Sequence, residues 1–373
     1  MSTRETIAVA TRGSDLALRQ AGTVVDRLAD HRIEANLVEV ETTGDRIDDA
    51  LIQDLGKTGA FVRALDERVL EGEVDAAVHS LKDLPTEQPD DLVVAAVPRR
   101  ESPLDVVVTP DGDALADLPP GSTVGTSSLR RGAQVLARRP DLDVEPLRGN
   151  VDTRVQKLLA PGLQAEHERR LEAQMADQSD RERDRKRTDD EAVNDDGPTF
   201  ERSVEAWFDD LTELERQAME RSVETEYDAI VLARAGLERS GLADAVPIVD
   251  LPRDSHVPAA GQGALAITAR AESDVADRLF DLLDHPHSRV ATTAERILLE
   301  ALGGGCVAPI GIHAHIKGDV VATRVQVLSQ DGETEIAASR DLEIERYAEE
   351  ARSFAADLAD RGASDLVEEA ARE

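Results

Sequence analysis

Ile7-Ala8-Val9-Ala10-Thr11-Arg12-Gly13-Ser14, running into an apolar-periodic stretch over residues 16–28, decides the fold. Residues 7–10 have the small, branched, apolar character of a buried strand. Residues 16–28 repeat apolar positions with helical spacing, and Ser14 suits the N-cap. A strand, a polar corner and a helix in that order make the basic unit of an α/β protein.

The unit recurs outward from there. Strands are expected over 37–41, 75–79 and 92–97, with an amphipathic helix over 61–70. This favours a mainly parallel sheet with helices on both faces. A second alternating unit has strands over 106–109, 123–125, 144–147 and 227–233. Its helices fall over 127–138, 153–159 and near 236–240, and a strand over 263–268 returns the chain to the first unit. Beyond lie helices over 275–283 and 288–301, three alternating strands near 310–316, 320–328 and 335–342, and one long helix over 345–369. That last part reads as a small α+β domain with an antiparallel sheet. Residues 161–225 stand apart as a charged excursion of solvated helix or disorder, with Trp207 and Phe208 in its more apolar half.

The 373 residues carry a formal charge of −34 and only 2% aromatics, so the cores must be built from Val, Leu, Ile and Ala. Such a field repels nucleic acid and anionic membranes. The basic residues within 180–187 alternate with acids and do not make a nucleic-acid patch. No run of about 18 apolar residues and no secretory signal is present, so a cytoplasmic protein is expected. Lysine occurs only at Lys57, Lys82, Lys157, Lys186 and Lys317. An acid-rich, lysine-poor surface is what a salt-filled cytoplasm tolerates, which points to a halophilic source.

Three strand-to-helix corners carry anion-binding equipment. They are Thr11-Arg12-Gly13-Ser14, Gly125-Thr126-Ser127-Ser128-Leu129-Arg130-Arg131 and Arg148-Gly149-Asn150-Val151-Asp152-Thr153-Arg154. Helix N-termini, hydroxyls and guanidinium forks all favour phosphate or carboxylates. Their repetition in so acidic a chain suggests a polyanionic ligand, although none is a nucleotide-binding glycine motif. At the end of a buried strand, His79-Ser80-Leu81-Lys82-Asp83-Leu84-Pro85 offers a lysine and an aspartate for a cleft, or alternatively a surface ion pair. The one cysteine, Cys306, follows Gly303-Gly304-Gly305 and cannot form an intramolecular disulfide. Its setting suits a thiol carrying something covalently; the bland reading is a small buried hydrophobe. The pairs His285/His287 and His313/His315 lack a completing ligand set, so packing or surface roles are favoured and no metal is expected.

Taken together and in order, these motifs, with Pro258-Ala259-Ala260-Gly261-Gln262-Gly263-Ala264, resemble the porphobilinogen deaminase (hydroxymethylbilane synthase) family over nearly the whole chain except 161–225. The resemblance implies two lobes like those of type II periplasmic-binding proteins plus a small C-terminal α+β domain with a three-stranded antiparallel sheet. The expected boundaries are 1–98 plus 264–283 for lobe 1, 99–263 for lobe 2 with its insertion, and 284–373 for the C-terminal domain. It implies that Cys306 holds a dipyrromethane cofactor through a thioether. On that primer four porphobilinogen units are joined head to tail, and hydroxymethylbilane is then released by hydrolysis. Asp83 matches the catalytic aspartate. Ser14, Lys82, Ser128, Arg130, Arg131, Arg148, Asn150 and Arg154 match cofactor-binding positions, and Arg12, Arg148, Arg154, Arg239 and Gln262 match substrate-binding ones. A monomer is expected.

The match is imperfect in places. The family's Gly-Gly-Lys-Gly reads Gly56-Lys57-Thr58-Gly59 here, and Asp54 stands where an upstream lysine is expected. Gly303 replaces the glutamate often found before Gly-Gly-Cys. The alternative function is a non-catalytic two-lobed anion-binding protein, which needs no reactive cysteine. A thiol-transfer protein would leave the arginine corners unexplained.

Overall fold

The computed structural model describes residues 6–40, 60–186, 200, 202–304 and 308–370. Asp54, Lys57 and Cys306 therefore lie outside the described residues, and so do the expectations placed on them. The chain begins β1 (Ile7–Arg12), α1 (Asp15–Asp30), β2 (Ala35–Val40), α2 (Ala60–Glu71), β3 (Ala76–Ser80) and β4 (Leu92–Ala96). A second series follows, with β5 (Asp105–Val108), β6 (Thr123–Gly125), α3 (Leu129–Arg138), β7 (Asp143–Glu145) and α4 (Val151–Lys186). It continues through α5 (Val204–Asp210), α6 (Glu213–Met219), β8 (Ala229–Ala233), α7 (Arg234–Ser240) and β9 (Ile248–Asp250). Then come β10 (Leu265–Arg270), α8 (Asp274–Leu283), α9 (Pro286–Ala301), β11 (Ile310–Lys317), β12 (Val320–Leu328), β13 (Glu335–Glu343), α10 (Tyr347–Ala359) and α11 (Ala363–Ala370).

Three sheets result. The first has the order β2-β1-β3-β10-β4, the second β7-β6-β8-β5-β9, and the third is β11-β12-β13. The expected parallel pairing holds for β1 with β2 and β3, and for β6 with β7 and β8. Each of these sheets also contains one reversed strand, which the alternating pattern did not reveal. β10 runs antiparallel to β3 and β4, and β5 runs antiparallel to β8 and β9. The cause is reciprocal exchange. The chain crosses from the first sheet to the second after β4 and returns after β9, and each crossing feeds a strand against the local direction. The third sheet is antiparallel throughout.

Burial follows from this layering. β3 and β5 are covered on both faces and read as continuous apolar runs, as central strands should. Separate apolar clusters lie on the two faces of the first sheet, one against α1 and α8, the other against α2. The second sheet is covered likewise. Among the described residues the buried apolar side chains are Val, Leu, Ile and Ala, with Phe354 and Tyr227 as aromatic exceptions.

Two helix expectations needed correction. The helix expected to end near residue 159 instead continues as α4 through Pro161 to Lys186. Proline removes one backbone hydrogen bond there, but the excursion is tied at its base. The Gln164 amide donates to the carbonyls of Met219 (3.1 Å) and Arg221 (2.8 Å), while the Arg221 guanidinium donates to Gln156 Oε1. The single C-terminal helix is broken into α10 and α11 at Gly362, whose φ of +94° is costly for other residues.

The C-terminal domain docks on the crossing segment. A Cβ on Gly311 would lie 2.4 Å from the Val257 carbonyl oxygen, so only glycine lets β11 approach so closely. The Ile312 amide donates to Pro258 O at 2.8 Å. Arg100 pairs bidentately with the fully buried Glu295 of α9, at 2.7 and 3.1 Å. Glu295 also accepts from the Gly261 and Ala314 amides, so one carboxylate joins the crossing segment, α9 and β11.

Candidate active site

β3 ends in a single tight turn, Leu81–Asp83. Leu81 anchors the turn by burial and by donating its amide to Ala264 O at 3.0 Å. From behind, Gly261 (φ +74°) presses on the turn, where a Cβ would sit 3.0 Å from Leu81 Cγ and 3.2 Å from Lys82 N. Gly263 (φ +83°) lies against the Glu101 and Ser102 carbonyls, at 2.7 and 2.8 Å from its would-be Cβ. The glycines of the 258–264 motif are thus explained by backbone-to-backbone contact at the crossing. The turn leaves Asp83 exposed and Lys82 half-buried.

The second sheet contributes Arg130 and Arg131 at the start of α3, whose N-cap Ser128 accepts from the Arg131 amide at 3.5 Å. Both guanidiniums are buried and converge on one carboxylate. Arg130 Nη1 donates to Asp105 Oδ2 at 2.6 Å, and Arg131 Nη2 lies 2.8 Å from Asp105 Oδ1. Gln262 completes the group. Its amide donates to Asp105 Oδ1 (2.9 Å) and Pro103 O (2.6 Å), and its Oε1 faces Arg130 and Arg131 at 3.3 and 3.4 Å. Burial opposes the Asp105 charge, but Arg130 and Arg131 outweigh it and hold this carboxyl well below the usual carboxylate range.

The sequence reading missed Asp105. A signal existed: one acid heads the otherwise apolar strand Asp105-Val106-Val107-Val108, and two adjacent buried arginines require a counter-charge.

The third corner is pinned to the second by Ser127, whose hydroxyl donates to Leu147 O at 2.5 Å. Gly149 (φ +108°) has no room for a side chain, since a Cβ would meet Thr153 Cγ2 at 2.4 Å. Asn150 Oδ1 caps α4 by accepting from the Thr153 amide (2.8 Å), and Arg154 Nε donates to Gly149 O (2.8 Å). Arg148, between them, is half-buried. On the first corner, Arg12 ends β1 and Ser14 caps α1 by accepting from the Ala17 amide at 3.4 Å.

Electrostatics joins these pieces. Lys82 is raised by Asp83 beside it, yet burial and the guanidiniums of Arg131 and Arg130 prevail and lower its pKa. Burial, followed by Arg131, pulls Arg154 down to about 10. Burial also lowers Arg130, against the pull of Asp105. Lys82 from the first sheet and Arg130, Arg131 and Arg154 from the second therefore share one field. The two carboxylates of Asp105 and Asp83 do not balance these four cations, and a bound polyanion would relieve the field.

Two of the expected substrate-binding residues, Gln262 and Arg239, lie at the crossing. Gln262 is buried in the Asp105 group. Arg239 pairs with Glu101 at 2.7 Å and donates to Gly263 O at 2.9 Å, bracing the return strand. His285 caps α9, while His79 lies buried against Asp66 and Thr268.

Comparison with known proteins places these features in one family. A family pattern described as "Porphobilinogen deaminase, dipyromethane cofactor binding domain" matches residues 7–166 and 213–278. A second, "Porphobilinogen deaminase, C-terminal domain", matches 290–361. The gap between the first two blocks falls inside the charged excursion. The chain is 60% identical to a probable porphobilinogen deaminase of Halobacterium salinarum, over 98% of each chain. It is 37% identical to a probable porphobilinogen deaminase of Methanococcoides burtonii over 96% of each. It is also 37% identical to a porphobilinogen deaminase of Brevibacillus brevis, over 87% of this chain and 85% of that one.

Proposed function

The chain belongs to the porphobilinogen deaminase family, and from that premise we propose how its own residues divide the work. The reaction joins four porphobilinogen units head to tail on a covalent dipyrromethane primer and releases hydroxymethylbilane and ammonia. The observation that carries the assignment is the shared field of Lys82, Arg130, Arg131 and Arg154 beside the exposed Asp83 turn.

Each pyrrole carries an acetate and a propionate, so the ligand is a polyanion that gains charge as it grows. The cation excess around Asp105 fits such a group, and Cys306 is the residue that would hold it. When bound, the dipyrromethane supplies the anchored pyrrole end to which successive rings are joined. Arg130, Arg131, Arg154 and Lys82 bind its carboxylates, with Arg148, Ser14, Ser128 and Asn150 at the corners that present them. Arg12 and Arg148 face incoming substrate. Arg239 and Gln262 act through the crossing, as positioning residues for the Asp83 turn and the arginine pair. Loss of ammonia from the substrate's aminomethyl group leaves an electron-poor pyrrole cation. The Asp83 carboxylate accepts the pyrrole N–H and stabilises that charge where it develops.

The two crossings support the division into 1–98 plus 264–283, 99–263 and 284–373, because β10 belongs to the first sheet although it follows the second in sequence. No described helix is long and apolar enough to cross a membrane. The acid-rich surface fits a salt-filled cytoplasm, and self-repulsion at −34 favours a monomer.

The test is Asp83→Ala. Turnover should fall by at least about 100-fold while the thermal midpoint stays put, since Asp83 is exposed. Near-normal turnover would remove Asp83 from the chemistry.

A further inference from the structure

A pocket lies on the C-terminal sheet, sharing no residue with the active site. It has a volume of about 170 Å³ and is lined by His313, His315, Arg324 and Asp341 from the sheet and by Arg253 and Asp254 from the segment before the crossing. Register explains the gathering. His313 faces Arg324, which faces Ser339; His315 faces Ala322, which faces Asp341. Directly paired residues share a face of an antiparallel sheet, so two adjacent rows present these side chains together.

The pocket is poised to donate hydrogen bonds to an occupant. Arg324 spends one nitrogen on Ser339 Oγ (3.1 Å) and another on Asp254 O (2.6 Å). Its Nε is buried with no hydrogen-bond partner among the described residues. Arg253 makes no hydrogen bond or ion pair among them either. The imidazoles of His313 and His315 stack with centroids 5.6 Å apart. Burial, then Arg100 and Arg253, pushes His313 down to about 3; burial, then Arg253 and Lys317, lowers His315. Both rings are therefore neutral near pH 7, each with one N–H to donate.

The lining sets Arg253 and Arg324 against Asp254 and Asp341; Lys317 lies nearby, and Arg100 is already spent on Glu295. In a chain of net charge −34, a lining whose cations match its acids, with the unpartnered Arg324 Nε and Arg253 as spare donors, suits an anion better than a metal ion. We propose that this pocket is a second binding site, taking a small oxyanion such as phosphate or a simple carboxylate between Arg253 and Arg324. Arg253 lies on the segment leading to the crossing and Arg324 on the C-terminal sheet, and Gly311 of that sheet is already seated on Val257. An occupant therefore braces the C-terminal domain against the crossing.

Histidine titrations by NMR on the full-length holo-protein, at constant ionic strength in potassium chloride, test this. Added inorganic phosphate should raise the His315 midpoint by roughly 1 unit, as a new nearby anion does. The rise should vanish in Arg253→Gln, a substitution that breaks no hydrogen bond among the described residues. Acetate in place of phosphate identifies the source: a rise with either anion, lost in Arg253→Gln, supports the site. A His315 midpoint unmoved by both anions, or moving equally in wild type and Arg253→Gln, would overturn it. So would a response to zinc with none to either anion.

Discussion

Arg130 and Asp105 meet at 2.6 Å in the buried interior where the second sheet joins the crossing segment, and Arg131 closes on the same carboxylate at 2.8 Å. Two cations on one anion is an unbalanced arrangement for a structural core. It makes sense as the fixed half of a site whose remaining negative charge arrives with the ligand.

Asp105→Ala should be far more harmful than a cavity of its size. It leaves two buried guanidiniums without their counter-charge, and breaking a buried pair in this way costs about 3–5 kcal/mol. A urea midpoint would report it. Because the folded carboxyl lies below its unfolded value of roughly 4, its contribution is complete above that pH and fades as pH falls below it. Wild-type stability should therefore drop more steeply below about pH 4 than that of Asp105→Asn. Parallel acid curves would contradict the assignment.

Gly261→Ala should impair turnover more than stability. A methyl there meets the backbone of the Asp83 turn at 3.2 Å, in a left-handed conformation. The strain is of order 1–3 kcal/mol, but the displaced turn carries the carboxylate. Gly121→Ala is the control: φ is +81° with nothing within 4 Å, so a similar backbone penalty should leave kcat unchanged. Equal kcat in the two variants would show that the contact at Gly261 does not position the turn.

Salt should stabilise the protein. With 77 acidic residues against 43 lysines and arginines, self-repulsion is large, and the Debye length falls to roughly 3 Å at 1 M. The urea midpoint should rise on moving from dilute to molar potassium chloride. A flat response would sink the halophilic reading of the surface.

Much of the architecture was legible because it is written in local patterns. The strand–corner–helix of 7–28, the cap at Ser14 and the three alternating C-terminal strands are short-range features. What escaped depends on pairing between distant segments. Nothing in Leu265–Arg270 by itself says that it inserts beside β3 in reverse, or that Asp105–Val108 does the same beside β8. The site divides in the same way. Arg130, Arg131 and Lys82 announced themselves by residue type and corner position. Asp105 showed its role only once folding brought it 25 residues back onto Arg130. The partners of Gln262 and Arg239 are crossing carbonyls and the carboxylates of Asp105 and Glu101, none of them visible in local sequence. The helix through Pro161 was missed because proline normally ends a helix, and the compensating ties come from residues more than 50 positions away.

The central claim, a covalent primer on Cys306, is tested most directly by the intact mass of the denatured protein beside Cys306→Ser, before and after incubation with porphobilinogen. The account predicts added mass equal to one dipyrromethane on the wild-type chain and none on the variant. A wild-type mass that still matches the bare chain after incubation would contradict it.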